Sequence, residues 1–267
     1  FETVLKKDLA KAGNEKRFAK DKKFWDDQLD ALGEPLYSDI QGPSVLEEAR
    51  KRHGNPKLRS SDIEMKDLFV AVKDYYLEPG PTKNLIDFCM NHQLSMTNLL
   101  LIGIRTYLSK VNNGQEDITI QNFISRRSTH DEWTSGGSRT IMFPCRTVIA
   151  PETDFLSAAY EIQNMQNRIY MHSNYDPAFI MDEMRKRYNT PEHTGYESCY
   201  LTSQPMTVKV ENEMLGTIRQ HAKWFANGAA TKKMYLTVSH TEDGGMNFSY
   251  HYQTAHLEEH DMELLYY

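Results

Sequence analysis

Hydrophobic positions recur with helical spacing over the first 32 residues of the chain. Trp25, Leu29 and Leu32 lie four and three positions apart, the spacing that places side chains on one face of an amphipathic helix. Gly13 interrupts the pattern, which therefore predicts two helices. Residues 33–55 contain several short turn sequences rich in Gly and Pro, and we expect a domain boundary there.

The rest of the chain alternates between helical and strand-like patterns. Ser95 and Asp154 are favourable N-caps, Pro177 suits the first turn of a helix, and residues 242–245 form a strong hairpin signal. The predicted helices are 45–52, 82–91, 96–111, 155–171, 177–188 and 258–266, and the predicted strands are 67–77, 117–124, 140–149, 196–203, 234–240 and 246–252. This order of elements predicts an α+β fold, a mixed sheet with helices packed on one face.

Pro144 interrupts the predicted strand 140–149. Because Pro has no N–H to donate to a neighbouring strand, we expect this strand at a sheet edge or at a bulge.

Composition excludes several classes of protein. The 267 residues carry 37 acidic and 31 basic side chains, a net charge of -6, so no positive field is available to bind nucleic acid. The longest aliphatic stretch, residues 99–102, is far shorter than the about 20 residues that cross a bilayer. Three cysteines without close spacing argue against a disulfide framework, so we expect a reducing, cytoplasmic location. The first residue is Phe1 rather than Met, and we expect the chain to be part of a longer one.

His172 and Asp176 are candidates for a general base, because they lie four positions apart in a spacing that resembles the H-x-x-x-D of several acyltransferases. Asp176 also directly precedes Pro177, and the favoured interpretation is that it caps the following helix. The pair is therefore kept as an alternative base.

His256, Glu259 and His260 match H-x-x-E-H, a spacing that can place two zinc-binding imidazoles and a carboxylate on one helical face. The segment is short and lacks a well-placed further glutamate, so we favour a solvated charged surface and expect no metal site. The sequence contains no phosphate-binding loop and no G-x-S-x-G elbow.

Longer motifs resemble the condensation domains of non-ribosomal peptide synthetases, which belong to the chloramphenicol-acetyltransferase-like superfamily. The matching stretches are residues 86–95, the apolar helix 99–108, and the Asn-Gly-Gln-Glu-Asp run at 113–117 with the strand that follows it. The resemblance covers nearly the whole chain in order, and it implies the α+β fold of one lobe of such a domain.

Three residues take positions that the family motifs define. Arg127 stands where the family has the arginine that ends the strand, which is thought to pair with the Asp of the catalytic motif His-His-x-x-x-Asp-Gly. Gly137 and Arg146 agree with the ends of the motif Gly-x-Phe-Val-Asn-Thr-Leu-Pro-Leu-Arg, whereas Arg139 and Ile141 depart from it. The resemblance implies that Arg127, Gly137 and Arg146 support the site or form its wall.

The resemblance also implies a division of the chain. Residues 1–55 would be a helical connector from an N-terminal lobe, and residues 56–267 would be the C-terminal lobe. The motif His-His-x-x-x-Asp-Gly is absent from the sequence, so we expect the catalytic histidine upstream of Phe1 and no activity from this fragment alone.

The implied reaction is amide bond formation between acyl or aminoacyl thioesters carried on the phosphopantetheine arms of carrier proteins. The expected partners are those carrier proteins and the N-terminal lobe, and no cofactor is expected to bind this domain itself. Two alternatives stay open: a stand-alone CoA-dependent acyltransferase of the same superfamily, and a non-catalytic lobe that docks carrier proteins.

Overall fold

The structure, a computed structural model, describes residues 2–204, 210–212, 216–218 and 227–267. It begins with helices α1 (Glu2–Ala12), α2 (Glu15–Leu32) and α3 (Ser44–Arg52). Asn14 separates α1 from α2 and caps α2, because its side-chain oxygen accepts the backbone N–H of Arg17 at 3.0 Å. Gly33 ends α2 with a φ of 67°, a conformation that glycine adopts without strain. The two predicted N-terminal helices are confirmed.

Three of the later helices begin directly after a predicted capping residue, one begins at Pro79 rather than at residue 82, and the short helix at residues 130–134 was not predicted. They are α4 (Pro79–Asn91), α5 (Met96–Val111), α6 (His130–Thr134), α7 (Phe155–Met171), α8 (Pro177–Tyr188) and α9 (Glu259–Tyr266). Ser95, Asp154 and Asp176 each accept a backbone N–H from the first turn of the helix that follows. Among the described residues, no helix is long and apolar enough to cross a membrane.

A six-stranded mixed sheet forms the centre of the molecule. The described strands, including four outside this sheet, are β1 (Ser61–Asp62), β2 (Val70–Leu77), β3 (Asp117–Ser125), β4 (Thr140–Val148), β5 (Thr194–Gly195), β6 (Cys199–Ser203), β7 (Val210–Asn212), β8 (Gly216–Ile218), β9 (Met234–His240) and β10 (Met246–Gln253). Strand β1 pairs with β5, and β7 pairs with β8. The sheet has the order β2-β10-β9-β6-β3-β4, in which β6 runs parallel to both β3 and β9 and the other pairs are antiparallel. The predicted α+β class with a mixed sheet is confirmed.

Two predicted strands begin three residues later than their patterns indicated, and the first of them is β2, which starts at Val70 rather than at residue 67. β6 starts at Cys199 rather than at residue 196, because Glu197 makes an isolated bridge with Ser38 outside the main sheet. The backbone on either side of Glu197 therefore belongs to the junction with the segment that follows α2.

The position of Pro144 agrees with its chemistry. β4 is the last strand in the order of the described sheet, and Pro144 lies opposite Gln121 of β3. A residue without an N–H is tolerated at such an edge, so the predicted edge position is confirmed.

The two faces of the sheet differ in character. Asn122 of β3 donates to Gln166 of α7 at 2.9 Å, and Arg105 of α5 donates to Thr147 of β4 at 3.0 Å, so α5 and α7 cover one face. Buried apolar side chains of the same face include Ile118, Ile120, Leu201, Leu236 and Tyr250. The predicted packing of helices on one face is confirmed.

Helix α2 packs against the edge of this sheet. Trp25 stacks on Phe143 of β4 with ring centroids 5.6 Å apart, and both side chains are buried. Farther along, the buried carboxylate of Asp39 pairs with Lys233 at 2.7 Å, next to β9. The segment before residue 56 is thus fixed to the sheet by both apolar and ionic contacts.

Candidate functional site

Arg127 lies in the loop that joins β3 to β4, where the sequence places its first site residue. Its guanidinium donates to three backbone carbonyls of the same loop, those of Glu132, Ser135 and Gly137, the last two at 2.9 and 2.7 Å. The structure therefore brings Arg127 and Gly137 together, as two of the three predicted supporting residues. Gly137 has a φ of 89°, in the region that favours glycine.

Glu132 lies at the centre of this loop and is 2% exposed. Its Oε2 accepts the backbone N–H groups of Ser128 and Thr129 at 2.8 and 3.0 Å and the Ser128 hydroxyl at 2.9 Å. The backbone hydrogen bond from Ser128 leads the effects that lower the pKa of the Glu132 carboxyl to about 2. Glu132 is therefore ionised at neutral pH.

Two cations complete the surroundings of Glu132. Arg139, at the start of β4, donates to Glu132 Oε1 at 3.2 Å and forms a bidentate pair with Asp8 of α1 at 2.6 and 3.2 Å. Lys11 of α1 reaches the same Oε1 at 3.5 Å. The departure of Arg139 from the family motif thus supplies an ionic link between the loop and α1.

Arg146, the third predicted supporting residue, is separate from the Arg127 loop. It forms a bidentate pair with Asp117 at 2.7 and 2.8 Å, and it donates to the carbonyls of Leu32, Gly33 and Glu34. This arrangement ties the end of α2 to the first residue of β3.

His172 and Asp176 are not brought together. His172 Nδ1 lies 2.8 Å from the carboxylate of Asp21, and its ring stacks on Phe24 with centroids 4.2 Å apart. Asp176 accepts the N–H of Ala178 at 2.9 Å as the N-cap of α8, so the capping interpretation is confirmed and the alternative base has no paired carboxylate at Asp176.

The H-x-x-E-H residues contact different parts of the molecule. His256 lies 3.1 Å from Glu64, His260 lies 3.4 Å from Glu263, and Glu259 pairs with Lys73. In the portion of the chain that the structure describes, no three His, Cys, Asp or Glu side chains are grouped so that they could hold a metal ion.

Sequence reasoning missed a polar row on the sheet face opposite α5 and α7. This row consists of Gln121, Tyr200, Tyr235 and His251, which pair directly across β3, β6, β9 and β10. Burial lowers the pKa of His251 and raises that of Tyr200 well above its usual value. A neutral imidazole and an undissociated phenol therefore lie in one row, able to accept and donate hydrogen bonds.

Glu197 extends this row. Its carboxylate accepts from Gln121 Nε2 at 2.7 Å, and burial raises its pKa. Beside it lies a cavity of about 320 Å³, whose lining includes Glu197, Tyr200 and Lys233. Alternating polar positions in β3 and β9 were visible in the sequence, but their alignment across strands distant in the chain was not.

The family model described as Condensation domain matches residues 6–266, and the chain belongs to this family.

Among known proteins, the chain is similar to a plipastatin synthase polypeptide of Bacillus subtilis (strain 168), with 22% identity over 170 residues. That match covers 63% of this chain and 6% of the relative, which is much longer.

Solved condensation domains share the fold. The condensation domain from the monacolin K polyketide synthase MokA superposes with a TM-score of 0.72 and 12% identity, covering 100% of this chain and 58% of that one. The first condensation domain of the calcium-dependent antibiotic synthetase gives a TM-score of 0.68 and 13% identity, covering 97% of this chain and 50% of that one. The chain therefore spans about half the length of the solved domains that it resembles.

Proposed function

We propose that this chain is part of a condensation domain of the non-ribosomal peptide synthetase type, which joins two carrier-bound thioesters through an amide bond. The observation that carries the proposal is the family match, which runs from residue 6 to residue 266 and so includes nearly every element of the chain. The similarity to a plipastatin synthase supports the peptide synthetase type.

All bonds and protons of the proposed reaction are accounted for by the two substrates, without a bound cofactor. The acceptor amine attacks the donor thioester carbonyl, a C–N bond forms, the C–S bond breaks, and the proton lost by the amine reaches the departing pantetheine thiol. Holding the two arms in line supplies much of the rate through effective molarity, and a general base assists the proton transfer. In this proposal the base comes from the His-His-x-x-x-Asp-Gly motif of an N-terminal lobe.

The supporting role of Arg127 fits its geometry. Three loop carbonyls fix its two terminal nitrogens, and its Nε has no hydrogen-bond partner among the described residues. Two of its five N–H groups, one on Nε and one on Nη2, therefore remain for a carboxylate from another lobe. Arg127 would brace the Asp of the catalytic motif in this way while its own loop keeps it in place.

Residues 1–55 would form a connector and residues 56–267 a C-terminal lobe. The partners would be carrier proteins bearing phosphopantetheine and the N-terminal lobe, in the cytoplasm. Arg146 would keep the connector aligned with the lobe, because it holds the carbonyls of Leu32, Gly33 and Glu34 against β3.

The test compares the full-length protein with this chain alone, each supplied with aminoacyl-loaded carrier proteins, and detects the joined product on the carrier by mass spectrometry. We expect product from the full-length protein and none from the isolated chain. The matched variant His172→Ala in the full-length protein is expected to leave product formation intact, because His172 pairs with Asp21 outside the proposed catalytic motif.

Other outcomes would overturn the proposal in distinguishable ways. Product from the isolated chain that is lost on His172→Ala would place the base at His172. Product formed only from a free acyl-CoA would indicate a stand-alone acyltransferase. Carrier binding without any product from the full-length protein would indicate a non-catalytic docking lobe.

A further inference from the structure

The carbonyls that bind Arg127 belong to a loop with little regular secondary structure of its own. Helix α6 within it has five residues, and a single helical turn in water is unstable without outside contacts. The three carbonyls are nevertheless placed at bonding distance from one guanidinium. Further side-chain contacts, in addition to those of Arg127, must therefore help to fix the backbone between Ser128 and Gly137.

Glu132 makes hydrogen bonds that can fix the backbone of this loop. Its carboxylate binds the backbone N–H groups at the start of the loop, and Thr129 returns a bond by accepting the Glu132 N–H at 3.4 Å, which completes a capping box. The carbonyl of Glu132 is itself one of the acceptors of Arg127. One residue thus closes the loop from inside and binds the arginine.

The charge of Glu132 also ties the loop to the elements around it. Arg139 is 10% exposed at its side chain and bonds to both Glu132 and Asp8, and Lys11 of α1 reaches Glu132 Oε1 at 3.5 Å. Both carboxylate oxygens of Glu132 therefore face donors, so an acceptor is required at each of the two positions.

We propose that Glu132 is a positioning residue for the condensation reaction, acting through Arg127 rather than on the substrate. The proposal rests on the proposed function. The ionised carboxylate keeps the loop in the one conformation in which Arg127 presents its two unused N–H groups to the catalytic lobe.

A glutamine at this position would change the hydrogen bonding without changing the shape. One carboxylate oxygen would become an NH₂ group, which would face either the backbone N–H groups or Arg139, and both are donors. The loop would lose either its internal cap or its link to β4. Asp131→Asn is the matched control, because it removes one charge from the adjacent residue, whose side chain is 45% exposed.

The experiment measures two properties of each variant. In the full-length protein, steady-state condensation gives kcat and KM. In this chain, hydrogen exchange gives the protection of the amides from residue 128 to residue 139. We expect Glu132→Gln to lower kcat by about tenfold or more with KM changed by less than about twofold, and to speed exchange in the loop by about tenfold. We expect Asp131→Asn to match the wild type within about twofold in both.

The outcomes separate this inference from the proposed function. If the wild-type full-length protein gives no product, the proposed function itself is ruled out. An active wild type with Glu132→Gln equal to Asp131→Asn in kcat would overturn the positioning role alone. Exchange that rises equally in the loop and in β9 and β10 would assign Glu132 a general role in stability and also overturn the proposal.

Discussion

Arginine has an unusual use in this molecule at the scale of single residues. Arg127 and Arg146 each donate to three backbone carbonyls, and Arg146 adds a bidentate carboxylate. The guanidinium suits this task because its donors lie in one plane and stay charged at every physiological pH. A single side chain can therefore fix a stretch of irregular backbone.

Removal of Arg146 is expected to destabilise the chain strongly. Arg146→Ala removes the donor of the Leu32 and Gly33 carbonyls and the bidentate partner of Asp117, which then keeps, among the described cations, only Arg59 at 3.6 Å. Because the place is largely buried, we expect the free energy of unfolding to fall by about 3 kcal/mol. Urea unfolding of the chain followed by circular dichroism measures this change.

The control for this variant is Lys23→Ala, which breaks the exposed pair with Asp27. Exposed pairs contribute little, so its free energy of unfolding should change by less than about 0.5 kcal/mol. Equal effects of the two variants would contradict the structural role of Arg146.

The sequence could indicate some site residues but not their partners. Arg127, Gly137 and Arg146 were recognisable from motifs, because each motif is continuous in the chain. The bond between Gln121 and Glu197 joins residues 76 positions apart, and the stacking of His172 on Phe24 joins residues even farther apart in the chain. Such pairs depend on which strands and helices are neighbours, and a local sequence pattern does not predict which elements become neighbours.

At the scale of elements, the sequence predicted almost every described helix and strand of the main sheet. The reason is that Asn14, Ser95, Asp154 and Asp176 begin helices through their own side chains, and these local bonds override weak propensities. The order of strands was not predictable, because β6 is inserted between β3 and β9 by long parallel connections.

Two glycines should respond in opposite ways to the same change. A Cβ on Gly245, after the β9–β10 turn, would lie 2.7 Å from the Leu77 carbonyl and from Tyr76, whereas Gly103 in α5 has open space. We expect Gly245→Ala to destabilise by about 1 to 3 kcal/mol, and Gly103→Ala to stabilise by about 0.5 to 1 kcal/mol through helix propensity. Thermal unfolding of both variants measures the difference, and a stabilised Gly245→Ala would show that the hairpin can move aside.

At the scale of the whole molecule, the hydrophobic core includes all three cysteines. Cys89, Cys145 and Cys199 are 5%, 3% and 0% exposed and belong to the same buried cluster. Burial raises the pKa of the Cys145 thiol to about 11 and that of Cys199 to about 12, and it also raises that of Cys89.

The thiols should therefore report the integrity of the core. We expect none of the three to react with an aromatic disulfide reagent at pH 8 in the native protein, because each is both buried and protonated. All three should react over the same range of urea concentration in which circular dichroism shows unfolding. One thiol that reacts rapidly without denaturant would show that part of the core opens independently.

The pairing of β2 with β10 has a consequence for how the molecule is made. These two strands run side by side over eight residues, although nearly the whole lobe lies between them in the chain. A ribosome adds residues one at a time, so β2 emerges long before β10 exists, and the pairing of the two strands must await β10. High contact order of this kind slows folding, and the unpaired strand β2 of a nascent chain would need protection until β10 has been synthesised.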